Sequence, residues 1–332
     1  MGGVRNVRKE IPLGKSHVDL LKRYKARQGK PAWGKDYEPA IRATPQEAPS
    51  ISRPTMIRSG MLDRNVHLLS KPEANAAFLA LFHPSLFDLH EQRVLPTAPA
   101  SHPLQGSPAG VGLRLPELPG TIAIAESLGA LNRHPKVYYH FGGDEFEWVP
   151  LPFVGDLLLF LRDTDGPYCV NWNIKLTEED YLRPGPRPLG RVRRRQPEPD
   201  AELRHLIEEA LYEAAGIRTV RVTGSQLDAD LVANLRDLFG WHGRERTASE
   251  QQRLEVLELL RAAIDGPRPA YQVVKEVAAK TSLTDYDVMV ELYQAIWRRE
   301  LRVDLFSPLL MTKRLVRERE DPLQRYENWF RR

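Results

Sequence analysis

The stretch Val154-Gly155-Asp156-Leu157-Leu158-Leu159-Phe160-Leu161 runs into Arg162-Asp163-Thr164-Asp165-Gly166-Pro167 and then Tyr168-Cys169-Val170-Asn171-Trp172-Asn173-Ile174-Lys175-Leu176. The first segment is a continuous apolar run, which predicts a buried strand. The second alternates, with Tyr168, Val170, Trp172, Ile174 and Leu176 on one face and Cys169, Asn171, Asn173 and Lys175 on the other. Asp-Gly-Pro between them is a turn signal, so the two strands pair as a hairpin. A carboxylate heading the buried strand then lies beside an amide and a lysine of its neighbour. That is the D…(D/E/Q)xK arrangement of a metal-dependent phosphodiesterase, here with Asn in the middle place.

The chemistry asks for these residue types. Phosphodiester cleavage at neutral pH needs an activated water and relief of negative charge, and a magnesium ion with oxygen ligands and retained waters supplies both. Asp156 offers an anionic oxygen, Asn173 an amide oxygen and Ile174 a carbonyl. Lys175 brings a point charge that orients water or stabilises the developing oxyanion. An Asp ahead of an apolar strand and a Lys on a solvated strand face are also ordinary features of any sheet.

With 332 residues and 42% hydrophobic content the chain has room for two domains with real cores. A single cysteine, Cys169, excludes a disulfide framework and fits a reducing, cytoplasmic setting. No apolar run suits a membrane span or a signal peptide. The net charge of +4 is unevenly placed. Residues 1–35 hold ten Lys/Arg against Glu10 and Asp19, and Arg183, Arg187, Arg191, Arg193, Arg194 and Arg195 cluster in a Pro/Gly-rich stretch after Lys175. Such arms suit a polyanion, usually nucleic acid, or simply a solvated tail. Gly29 to Lys35 has Walker A spacing, but Asp36 stands where Ser or Thr is required, so a P-loop is rejected. The nine His are scattered, which argues against a zinc site.

Prolines 31, 39, 45, 49 and 54 predict an irregular, basic segment over 1–66. Ser70 caps a helix over 70–82, and residues 97–119 read as an exposed loop. A helix over 203–215 with an apolar face of Leu203, Leu206, Ile207, Ala210, Leu211 and Ala214 leads to a strand at Thr219. These elements predict an α/β domain over 67–224 with a mixed sheet core and flanking helices. From 225 to 332 the pattern is mostly helical. Capping boxes open helices at Ser249 and Thr284, and segments 301–306 and 309–315 predict a two-stranded wing. The helix after Thr284 begins with Asp285, Asp287 and Glu291, and acid there repels phosphates. The winged-helix-like part is therefore read as a protein-docking module rather than a DNA reader.

Several segments, in order, resemble the TnsA family, the endonuclease subunit of heteromeric cut-and-paste bacterial transposases. They are Gly34-Lys35-Asp36-Tyr37-x-Pro39, Gln46-Glu47-x-Pro49-Ser50, His67-Leu68-Leu69-Ser70-x-x-Glu73, Asp88-Leu89-His90-Glu91-Gln92, Gly155-Asp156-Leu157-Leu158, Asn173-Ile174-Lys175, and the helix and strand from Ile207 to Thr223. The resemblance implies a restriction-endonuclease-like PD-(D/E)xK nuclease followed by a winged-helix-like domain. It places the active site on Glu73, Asp156, Asn173 and Lys175, with Glu73 rather than Glu91 as the first carboxylate. Magnesium, or manganese in its place, would be held by Glu73, Asp156, Asn173 and the Ile174 carbonyl. The family's Gln falls on Asn173, one methylene shorter, and Gly155 stands where related nucleases often have Pro. Segments 97–119 and 183–199 look like insertions.

The function so implied is cleavage of the 5′ strand at transposon ends, with a TnsB-like DDE recombinase handling the 3′ ends and a TnsC-like AAA+ ATPase docking on the C-terminal part. Arg191, Arg193, Arg194 and Arg195 are the expected contacts to double-stranded DNA, and the bacterial nucleoid the place of action. The competing readings are a stand-alone restriction- or repair-type nuclease and a catalytically degenerate adaptor. Glu73, at the third helical position after Ser70, is also explained as a simple cap.

Overall fold

Gly166 has φ +113°, which a residue with a β-carbon rarely adopts, and it closes the tight turn at the centre of the fold. The structure, a computed structural model, describes residues 17–49, 53–142, 145–182 and 199–332. In chain order its elements are α1 (His17–Gln28), β1 (Thr55–Ser59), β2 (Arg64–Leu68), α2 (Lys71–Leu81), β3 (Leu86–Glu91), α3 (Thr121–Ser127), β4 (Lys136–Gly142), β5 (Glu145–Pro150), β6 (Leu157–Asp163), β7 (Gly166–Lys175), α4 (Pro199–Glu213), β8 (Arg218–Thr223), α5 (Ala229–His242), α6 (Glu250–Ala263), α7 (Ala270–Thr281), α8 (Asp285–Trp297) and α9 (Pro322–Arg325).

The central sheet has the order β3-β6-β7-β8. β6 pairs antiparallel with β3 and with β7, and β8 is parallel to β7. A parallel neighbour needs a crossover, and α4 provides it. The architecture is therefore mixed α/β, with a mixed sheet and helices packed on it.

The apolar run of β6 is explained by two cores. Leu157, Leu159 and Leu161 join Val170, Trp172, Ile174, Val220 and Val222 against α2 and α5. Leu158 and Phe160 face the other way, into a core with Cys169, Leu211, Tyr212 and Ile217. β7 is likewise buried on both faces from Cys169 to Ile174, so the face of Asn171 and Asn173 is not solvated as the alternation suggests. It is covered by α4.

Several expectations need correction. The stretch 1–66 is not irregular throughout, because it carries α1 and the β1–β2 hairpin. α1 lies in a proline-free window and buries Leu21 and Tyr24. Its Arg27 donates to both oxygens of Glu47 at 2.7 and 2.8 Å, tying the proline-rich segment down. Segment 97–119 is largely without regular structure but is not simply exposed, since Leu104 and Leu118 enter the second core. On α4 the buried face is rotated from the apolar stripe. Leu206 is exposed, while His205 and Glu208 are buried.

Beyond residue 225, α5 to α8 and the chain end pack into the same core as the first face of the sheet. Both capping boxes form, at Ser249–Gln252 and Thr284–Asp287. Segments 301–306 and 309–315 are not regular strands. Val303 instead bridges Arg317, beyond the second segment, flanked by hydrogen bonds from Asp304 N to Val316 O and Glu318 N to Arg302 O, while 311–315 bonds to 265–271, with Tyr271 N donating to Met311 O and Ala270 N to Lys313 O. The acids of α8 are also mostly committed elsewhere, since Asp287 caps the helix and Glu291 is buried. The chain end crosses back to the sheet, where Trp172 Nε1 donates to Trp329 O at 2.7 Å and Tyr168 OH to Phe330 O at 3.0 Å. No helix among the described residues is long and apolar enough to cross a membrane.

Candidate active site

β3, β6 and β7 bring their functional residues to one end of the sheet. Leu157 opposes Glu91 on one side and Trp172 on the other, so Asp156, just before β6, lies between Gln92 and the end of β7. Asp156 Oδ2 accepts from Ile174 N at 2.7 Å and from Lys175 Nζ at 3.2 Å. Lys175 Nζ also donates to Ile174 O at 2.9 Å and to Asn173 Oδ1 at 3.3 Å. Four of the expected residues thus meet through one ammonium group. Asp156 and Lys175 keep 15% and 22% of their side-chain surface accessible, so a ligand can reach this pair.

Burial pushes the Asp156 carboxyl up, but Lys175, Arg204 and the Ile174 amide outweigh that and hold it below its ordinary value. It is an anion at neutral pH. Among the described residues no hydrogen bond engages its Oδ1.

Glu73 reaches the same end from the first turn of α2. Ser70 Oγ accepts from Glu73 N at 3.3 Å and donates to Glu73 Oε1 at 2.7 Å. Oε2 accepts from Leu69 N at 2.9 Å and from Gln92 Nε2 at 2.9 Å. The cap therefore exists, but it does not account for the whole environment. Burial, and then the negative charge of Asp156, push the Glu73 carboxyl up to about 7. A simple cap gains nothing from a second carboxylate that raises its pKa, whereas a cation between them would favour both anions.

Asn173 is 1% exposed, and its orientation is fixed. Nδ2 donates to Glu208 Oε2 at 2.9 Å and meets His205 Nδ1 at 2.7 Å, so Oδ1 is turned to Lys175. The contact makes His205 Nδ1 an acceptor, and a neutral ring is what burial and the nearby Lys175 and Arg204 enforce, lowering its pKa to about 3. Asn171 Nδ2 donates to the other oxygen of Glu208 at 3.0 Å. A β-carbon of ordinary geometry at Gly155 would come to 3.0 Å from Glu208 Oε1. That contact is tight, and Gly155 N donates to Arg93 O at 2.8 Å, a bond that proline cannot make.

Glu91 is a different kind of acid. It accepts from Arg64 Nη1 and Nη2 at 2.7 and 2.8 Å and from His67 N at 3.0 Å, all away from solvent. It is a structural ion pair. The expected DNA contacts Arg191, Arg193, Arg194 and Arg195 lie outside the described residues.

Gln92, His205 and Glu208 are not among the site residues that the sequence indicates. Glu208 had only a weak sequence signal: it sits at helical spacing with Leu211, Tyr212 and Ala215, but the stronger apolar stripe of that helix runs through Leu206 and Ala210. Gln92 had none, because its contact to Glu73 depends on a backbone conformation that sequence does not reveal.

The oxygens gathered at this end belong to two carboxylates, one backbone carbonyl and one amide, the last two accepting from Lys175. Among the described residues no group of three His, Cys, Asp or Glu has the arrangement of a metal cluster. An all-oxygen set with few anions suits a magnesium-like ion that retains several waters, not zinc. A cleft of ≈ 300 Å³ in the C-terminal part, lined by Asp304, Leu309 and Lys313 among others, shares no residue with this site. No protein-family model matches the chain, and neither does any curated protein.

Proposed function

We propose that this protein is a magnesium-dependent DNA endonuclease, the 5′-strand-cutting subunit of a cut-and-paste transposase of the TnsA kind. The observation that carries the reading is the Asp156–Lys175 pair at the open end of the sheet, with Lys175 also held by the Asn173 amide and the Ile174 carbonyl. Its ordered partners make it more than a chance surface ion pair. Glu73 and Asp156, with Asn173 and Ile174 offering neutral oxygens, are the groups that would hold the cation. When bound, a divalent cation supplies a water of lowered pKa and relief of charge on the phosphorane. Lys175 would orient an attacking water or stabilise the developing oxyanion. Glu208 and His205 keep the Asn173 oxygen facing the lysine. A TnsB-like DDE recombinase would cut and join the 3′ ends, and a TnsC-like AAA+ ATPase would dock on the helical C-terminal part.

The genes beside this one test the reading. A DDE recombinase and an AAA+ ATPase within the same inverted repeats support it. A lone gene whose product cuts DNA unaided with magnesium replaces it with a restriction- or repair-type nuclease.

A further inference from the structure

Gln92 is buried and has φ +51°, a left-handed conformation that a residue with a long side chain adopts at a conformational cost. Glycine would adopt it freely and asparagine with less strain. The backbone is locked there from three directions. Gln92 N donates to Asp156 O at 3.0 Å, and Gln92 O accepts from Ala40 N at 3.0 Å and from Gln28 Nε2 at 3.1 Å. Gln28 Oε1 also accepts from Val94 N at 2.8 Å, so the end of α1 clamps both sides of this residue. None of these contacts needs the Gln92 side chain. Among the described residues, what the side chain adds is one bond, from Nε2 to Glu73 Oε2.

We propose that Gln92 is a positioning residue that sets the Glu73 carboxylate for cation binding and ties it to Asp156. A carboxylate has about four lone-pair directions. On Glu73, Leu69 N and Gln92 Nε2 take two on Oε2, and Ser70 Oγ takes one on Oε1. One direction, on Oε1, is left. Gln92 thereby blocks a rotated or two-oxygen arrangement and presents Glu73 through a single oxygen. The same residue bonds the Asp156 backbone carbonyl through its own N–H, so one residue ties the Glu73 carboxylate to the backbone of Asp156. This inference rests on Glu73 and Asp156 being the cation ligands.

The test uses the full chain with Mn²⁺ alone, titrated by calorimetry or by electron paramagnetic resonance, without DNA. The proteins are the wild type, Gln92→Asn, Gln92→Gly, Glu73→Gln and the double variant Glu73→Gln/Gln92→Asn. Asn and Gly keep the left-handed backbone but cannot reach Glu73; relief of backbone strain opposes the cost of the lost bond, so their melting temperatures should stay close to that of the wild type. Their Mn²⁺ affinity should fall roughly 10- to 100-fold, the usual effect of losing a residue that orients a metal ligand. Gln92→Asn should weaken binding no further once Glu73 is Gln, because the residue acts through that carboxylate. Unchanged affinity in both Gln92 single variants, against a wild type that binds, overturns the role of Gln92 and spares the metal site. So does a full additional loss in the double variant. A wild type that binds no Mn²⁺ overturns the metal site, and this inference falls with it.

Discussion

Glu73→Gln separates a buried metal-site carboxylate from a plain helix cap, and the pH dependence of stability reads the difference. Gln still caps, but it carries no titrating proton. In the folded protein the Glu73 carboxyl is pushed from its ordinary 4.5 up to about 7, first by burial and then by Asp156. Between these values the folded chain holds a proton that the unfolded chain has released. The unfolding free energy contributed by Glu73 therefore falls as pH rises from about 4.5 through about 7. A gap of roughly 2.5 units corresponds to about 3 kcal/mol. His83, His90, His102 and His205 shift the other way on burial, but they do so in both proteins and cancel in the difference. Denaturant unfolding in EDTA at pH 5, 6, 7 and 8 should show the Gln variant gaining on the wild type by up to about 3 kcal/mol, most of it between pH 5 and 8. Magnesium at pH 8 should return stability to the wild type and not to the variant. A stability difference that is flat across this range would refute the argument, because Glu73 would then be titrating as an ordinary cap.

Asn173→Leu removes the donor that satisfies Glu208 and His205, and unfolding should cost about 1–3 kcal/mol less than in the wild type. Asn173→Gln restores the residue expected from family resemblance and is tolerable on sequence grounds. In the closed pocket beside α4, however, the added methylene should cost about 1–3 kcal/mol, measured the same way. Deleting 327–332 uncovers Trp172 and removes Trp329 and Phe330 from the core; at ~1.5–3 kcal/mol per buried aromatic the loss is about 3–6 kcal/mol, with a red-shifted tryptophan emission as the optical sign. Arg64→Met strands the buried Glu91 and should cost about 3–5 kcal/mol in denaturant unfolding, most of which Arg64→Met/Glu91→Leu should recover.

The hairpin of β6 and β7, the helix capped by Ser70 and the meeting of Asp156 with Lys175 were legible because each depends on local pattern. A run of five apolar residues, a Gly-Pro turn and a two-residue alternation specify both strands and which residues share an end. The environment of Asn173 was not legible. β7 reads as half-solvated because its polar face is covered by Glu208 and His205, and a polar cover makes no apolar signal on the helix that bears it. α1 was hidden by the prolines that follow it. It is held by Tyr24 and Leu21 in the core and by Gln28 at Gln92 and Val94, contacts that span more than sixty residues. The return of the chain end onto Trp172 spans still more, and no local rule predicts it.

The central claim is that Glu73, Asp156 and Lys175 form a cation-dependent site for cutting the 5′ strand of DNA. It is tested most directly by mapping strand breaks on end-labelled transposon-end DNA, with the recombinase and ATPase partners present and magnesium supplied. The wild type should cut the 5′ strand in magnesium and not in EDTA. Lys175→Ala and Asp156→Asn should fold, recruit the partners and leave 3′ joining intact, while 5′ cuts disappear. Undiminished magnesium-dependent 5′ cuts in those two variants would contradict the account.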